Sequence, residues 1–169
     1  MNRDQKMEVI RQVKHRDELP AAMKKIESNK RMCELGVWFG SNLKMMIVSG
    51  SPEEIVGVDT FEDDGEVKGV KRYINLREEL KAFEGVKVQL VKDDSNWAWV
   101  MFPKYHFDYI YIDSDHRYDA ACVDIKKWYE RLKSGGVLAG HDYKDAPQCG
   151  VKRAVDEFVK LHGLSLIHI

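Results

Sequence analysis

The chain has 169 residues, 44% hydrophobic and 33% charged, which is enough length and apolar content for one domain around one core. Lys and Arg number 27 against 28 Asp and Glu, a formal charge of −1, so neither nucleic acid nor an anionic membrane is an expected partner. No stretch approaches a membrane span and no basic-then-apolar leader opens the chain, which makes the cytoplasm the expected location. Cys33, Cys122 and Cys149 are odd in number and far apart, and they read as reduced thiols without a functional role.

In chain order, Met7, Ile10, Val13, Leu19, Met23 and Ile26 are spaced as on helices broken at Pro20, and residues 1–29 read as a helical cap ahead of a domain over 30–169. Residues 31–37 form the first expected strand. A glycine-bearing turn carries it to Gly40, with Ser41 or Asn42 as the N-cap of a helix. Residues 55–59 read as a second strand ending in Asp59, residues 62–65 as a solvated loop, and residues 86–91 as a third strand. A fourth strand begins at Phe107. Residues 118–132 carry Ala121, Ile125, Trp128, Tyr129 and Leu132 at helical spacing up to Gly135 and Gly136, where a fifth strand begins. Val151, Val155, Phe158 and Val159 mark a further helix, and residues 164–169 the start of a further strand. Strands alternating with helices predict a doubly wound, mostly parallel α/β sheet.

Two of these strands end in chemistry. The run from Phe107 closes on Asp113, Ser114, Asp115 and His116, and the run from Gly135 closes on His141, Asp142 and Tyr143. Neighbouring parallel strands joined by a crossover helix bring both endings to the crevice beyond the carboxyl edge of the sheet. Acids and histidines gathered there suit metal ligation and general-base catalysis, which tilts the reading towards an enzyme. Asp115 serves equally as a helix cap, His116 as a partner of the first helical turn, and His141 as a support for a ligand rather than a ligand. His15, His106, His162 and His168 read as ordinary surface or turn residues, and the Trp97–Trp99 pair as packing. On the other side, Gly36 and Gly40 lie where a strand must turn sharply, and Asp59 ends the next strand, where a carboxylate can accept both hydroxyls of a ribose. Gly-x-Gly-x-x-Gly is incomplete and no Gly-Lys-Ser follows, which favours a nucleoside cofactor without phosphates over a dinucleotide or nucleotide hydrolysis.

The ordered set of Glu34 to Gly40, Val58-Asp59, Asp94-Ser95, Ile112 to His116 and Gly135 to Tyr143 resembles the class I S-adenosylmethionine-dependent methyltransferases. Within them, over roughly residues 30 to 160, it is most similar to methyltransferase family 24, related to the catechol and macrolide-sugar O-methyltransferases. The resemblance implies a Rossmann-like sheet with helices on both faces and S-adenosylmethionine as cofactor. Glu34, Gly36 and Gly40 would then shape the methionine and ribose pocket, Asp59 followed by Thr60 would hold the ribose, and Asp94 and Ser95 would lie by the adenine. Asp113 would sit beside the sulfonium and, with His141 and Asp142, hold a divalent metal: magnesium first, with manganese, calcium, iron or zinc open because a histidine replaces an oxygen donor. His116 would be the general base, with Asp115 next in line, and the acceptor a small hydroxylated molecule. Two other readings stay open, a metal-independent methyltransferase and an inactive cofactor-binding protein or fragment. The family's seventh strand is expected to be missing, leaving the chain truncated, minimal or completed by a partner such as a second copy.

Overall fold

Strands with apolar residues on both faces need a helical layer on each side, and that is how the chain folds in the computed structural model, which describes residues 1–63, 65 and 67–166. Strands β1 (Arg31–Leu35), β2 (Glu54–Asp59), β3 (Lys87–Lys92), β4 (Phe107–Ile112) and β5 (Leu132–Gly140) form one sheet in the order β3-β2-β1-β4-β5. All of the pairings are parallel. The order reverses between β1 and β4, and the crevice beyond their carboxyl ends is the position where such sheets bind ligands.

Side-chain alternation sorts the helices. Met32, Ile55, Tyr109 and Tyr111 point to a face covered by α1 (Arg3–Arg11), α2 (Leu19–Lys25), α3 (Ser41–Gly50) and α4 (Gly69–Leu80), which contribute Ile10, Met23, Leu43, Met46 and Leu76. Cys33, Leu35, Val56, Val58 and Ile110 point to the other face, where α5 (Ser95–Ala98) and α6 (Tyr118–Tyr129) bring Ala98 and Trp128. A last helix, α7 (Val151–His162), packs Ala154 on Ala121 and Ile125 of α6. The segment ahead of β1 includes a 3-10 turn (Arg16–Glu18), and Pro20 sits in the first turn of α2, where its missing N–H costs no hydrogen bond. Leu19, Met23 and Ile26 of this segment share the core with Met32, so the cap is anchored to the sheet.

Several boundaries differ from the sequence reading. The N-cap of α3 is Gly40 rather than Ser41 or Asn42, because its φ of 75° supplies the left-handed turn and frees the Asn42 amide for Glu34. The helix expected over 118–132 ends at Tyr129, since the Arg131 carbonyl accepts from His106 and Phe107 N–H and draws Leu132 into β5 opposite Phe107. Gly135 and Gly136 lie inside β5, in an irregularity between the Phe107–Leu132 and Tyr109–Val137 pairs, rather than ending a helix. Trp97 is 68% exposed, so of the tryptophan pair only Trp99 packs in a core. Helix α4 lay outside the sequence reading. Beyond α7, Gly163 adopts a left-handed φ and Leu164 N–H folds back to the Val159 carbonyl, so residues 164–166 form no strand, and residues 167–169 of the expected strand lie outside the described residues. No helix among the described residues is long and apolar enough to cross a membrane.

Trp128 is fully buried between Phe102 and Phe107, with its indole N–H donated to the Ser95 carbonyl. Trp128→Ala should lower stability by about 3–5 kcal/mol, the usual cost of emptying an aromatic core site. Urea denaturation checks this as a fall in midpoint with an unchanged slope.

Candidate active site

The end of β1 touches the end of β4. Asp113 N–H donates to the Leu35 carbonyl at 2.7 Å, and a Cβ on Gly36 would stand 2.0 Å from the Asp113 carbonyl oxygen. Only glycine can occupy that point, at its φ of 80°. The turn that follows is held by Asp59, whose Oδ2 accepts from the Val37 and Trp38 amides at 2.8 and 2.9 Å and whose Oδ1 accepts from the Phe61 amide at 2.6 Å. Asp59 therefore organises the turn itself. Oδ1, with a single bond among the described residues, still has acceptor capacity. Thr60 is exposed beside it.

Glu34 is the unusual carboxylate. It is 1% exposed on the α3-covered face, its Oε1 accepts from the Asn42 amide at 2.6 Å, and its Oε2 has no hydrogen-bond partner among the described residues. Burial, opposed by the Asn42 bond and reinforced by the Asp113 and Asp59 charges, raises its pKa from 4.5 to about 8. On the far side of the crevice Asp94 caps α5 by accepting from the Asn96 amide, while the Ser95 hydroxyl is buried and donated to Asp124.

Among the described residues, Asp113, His141 and Asp142 form a group of possible ligands, each offering one ligand atom within 4.8 Å of the others. His141 N–H donates to the Ile112 carbonyl, which fixes it alongside Asp113, and its Nδ1 lies 3.6 Å from Asp113 Oδ1 and 3.2 Å from Asp142 Oδ2. His116 reaches in from the other loop, with Nε2 3.0 Å from Asp142 Oδ2 and 3.5 Å from Asp113 Oδ1. The Asp142 side chain is 7% exposed. Burial pushes its pKa up, but Lys144, His141 and His116 outweigh this and hold it below the ordinary carboxylate value. Asp115 is gripped by the Arg117 guanidinium at 2.5 and 2.8 Å and by the Arg117 amide at 2.9 Å, which lowers its pKa.

Three contributors were not legible in the sequence. Arg16, from the cap, lies 3.9 Å from Asp113 Oδ2 and beside the Tyr111 hydroxyl, short of a hydrogen bond to it. Asn42 orients Glu34, and Lys144 pairs with Asp142. An open surface depression of about 510 Å³ beside His116 and Asp142 is bounded by Lys144, Pro147, Gln148 and Cys149.

Comparison with known proteins accords with this layout. Residues 33–143 match methyltransferase family 24, a methyltransferase domain. An uncharacterised protein of Acanthamoeba polyphaga mimivirus is 27% identical over 136 residues, covering 75% of this chain, and the chain spans only 58% of that protein's length. Among solved structures, CalS11, a TDP-rhamnose 3'-O-methyltransferase of calicheamicin biosynthesis, is similar with a TM-score of 0.71 at 20% identity, over 99% of this chain and 76% of that one. The O-methyltransferase NovP is similar with a TM-score of 0.68 at 18% identity, over 91% of this chain and 75% of that one. At such identities the likeness to solved structures is one of fold. The family match runs from β1 through the glycine turn to the residues that follow β5, and the chain belongs to methyltransferase family 24 of the class I S-adenosylmethionine-dependent methyltransferases.

Proposed function

We propose that the protein transfers a methyl group from S-adenosylmethionine to a hydroxyl of a small molecule, with a divalent metal at Asp113, His141 and Asp142 and with His116 as general base. The observation that carries this reading is the convergence of those residues at the mouth of the glycine turn. The cofactor fits the chain. Glu34 Oε2 is a buried carboxyl oxygen without a hydrogen-bond partner among the described residues, and an α-ammonium group beside it would favour the ionised carboxylate and donate to it. Gly36 leaves the backbone bare, and Asp59 Oδ1 has a lone pair for a ribose hydroxyl. Asp94 and Ser95 flank the adenine side, Ser95 through its backbone because its hydroxyl is engaged.

Bound S-adenosylmethionine supplies a methyl carbon on a sulfonium, which an acceptor oxygen attacks in line as the carbon–sulfur bond breaks and its electron pair stays on sulfur. Holding the acceptor against that carbon is the main task of the site. His116 takes the hydroxyl proton on the ring nitrogen that does not face the carboxylates, and Asp142 and Asp113, which lie beside its Nε2, stabilise the resulting imidazolium. Two carboxylates and one imidazole suit magnesium or manganese, and also admit calcium, iron or zinc; such an ion would lower the acceptor's pKa. Asp115, committed to Arg117, is the second choice as base. A metal-independent methyltransferase is the alternative, favoured by Lys144, which already balances the charge of Asp142.

Chelator-treated protein should lose methyl transfer and regain it with magnesium or manganese, and full turnover after chelation would establish the metal-independent alternative. For His116→Ala, single-turnover rates should fall by about 10²–10⁴-fold with cofactor affinity nearly unchanged. A rising limb of the pH–rate profile that persists in that variant would move the base elsewhere.

Glu34 gives a third expectation. The native carboxyl keeps its proton up to about pH 8, whereas the unfolded one loses it near 4.5, so the native state binds more protons across that window. Stability without ligand should therefore fall as pH rises between the two values. Glu34→Gln should flatten this slope in urea midpoints and weaken S-adenosylmethionine binding by about 1.5–3 kcal/mol, the scale of a hydrogen bond to a charged group.

A further inference from the structure

One buried charge takes no part in the chemistry above. Asp124, in the middle of α6, is 0% exposed. Its Oδ2 accepts from the Ser95 hydroxyl at 2.8 Å and from the Ser114 hydroxyl at 2.5 Å, and its Oδ1 accepts from the Asn96 amide at 2.9 Å. The donors come from two separate loops. Ser95 and Asn96 begin α5 after β3, whereas Ser114 directly follows Asp113 at the end of β4. One turn further along α6, Trp128 Nε1 donates to the Ser95 carbonyl, so the helix grips the first loop a second time.

A carboxylate without a cation is expensive in a protein interior. Among the described residues no lysine, arginine or histidine forms an ion pair with Asp124. Burial raises its pKa while Ser114, Ser95 and Asn96 oppose that rise, so these donors alone compensate the charge. An apolar residue would fill the space without that cost but would not fix two hydroxyl rotors from different loops at one point.

We propose that Asp124 is a positioning residue that ties the loop after β3 to the loop after β4, so that the placement of Asp113 and His116 depends on the order of the adenine-side loop. The functional half of this statement rests on the reading of those loops as cofactor side and acceptor side. The tie itself is a property of the ligand-free chain.

Hydrogen exchange of the full chain without ligand tests the tie. In Ser114→Ala, amides of residues 94–97 should exchange about tenfold faster or more, although the substitution lies on the other loop, and Ser95→Ala should do the same to residues 113–117. Asp124→Asn should loosen both loops, and Ser114→Thr, which keeps the hydroxyl, should restore protection. Faster exchange confined to the loop that carries each substitution overturns the proposal, and the serine variants decide the matter if Asp124→Asn does not fold. Calorimetry with S-adenosylhomocysteine tests the functional half: Ser114→Ala should weaken binding about tenfold, and unchanged affinity overturns it. A wild-type protein that binds no S-adenosylhomocysteine overturns the proposed function instead, and hydrogen exchange alone then decides whether the two loops are tied.

Discussion

The contact on which the site depends is the one between the backbone of Gly36 and the backbone of Asp113. A side chain at position 36 would overlap the Asp113 carbonyl, and the separation it forced would break the Asp113 N–H to Leu35 bond that extends the β1–β4 register. With the two strand ends in contact, Glu34 and Asp59 on one side face Asp113 and His116 on the other. Asp59 closes the arrangement by spending its carboxylate on the amides of the turn, which makes a nominal ligand-binding acid a structural clamp as well.

Lys144 and Arg16 bring positive charge to the Asp113–Asp142 pair. Asp113 and Asp142 are faced by two imidazoles and by Lys144, with Arg16 approaching from the cap. A cation entering this group would displace or supplement partners already present. Glu34 is the opposite case, a carboxyl group with a single donor among the described residues, and its pKa is raised because burial outweighs the Asn42 bond.

Much of this was legible in the sequence because it depends on period and position. Apolar runs ending in Asp59, Asp113 and His141 marked strand ends, and the parallel topology carried them to one edge. Helix α4 was not legible, because Arg72 is buried where an apolar residue belongs while Val70 and Ile74 are more than half exposed, which inverts the pattern a helical periodicity needs. Arg72 is accommodated by donating to the Glu62 carbonyl in the preceding loop and by lying 4.6 Å from the centroid of the Trp38 ring, contacts made outside its own helix. Arg16 and Asn42 were missed for the same reason, since each acts on a residue from another element. The partners of Asp115 and Ser95 were not legible either: their side chains are held by Arg117 and Asp124.

The strand order has a consequence for how binding and folding are linked. Strands β1, β2 and β3 pair in succession, but β1 meets β4 only after a long excursion, and the Arg31 amide that donates to Asp108 is 77 residues away from it in sequence. That pairing carries a large loop-closure entropy. The crevice straddles this junction, with the glycine turn, Glu34 and Asp59 on one half of the chain and Asp113, His116, His141 and Asp142 on the other. A ligand lodged there acts as a non-covalent cross-link between the halves, and its binding free energy adds to the stability of the folded state.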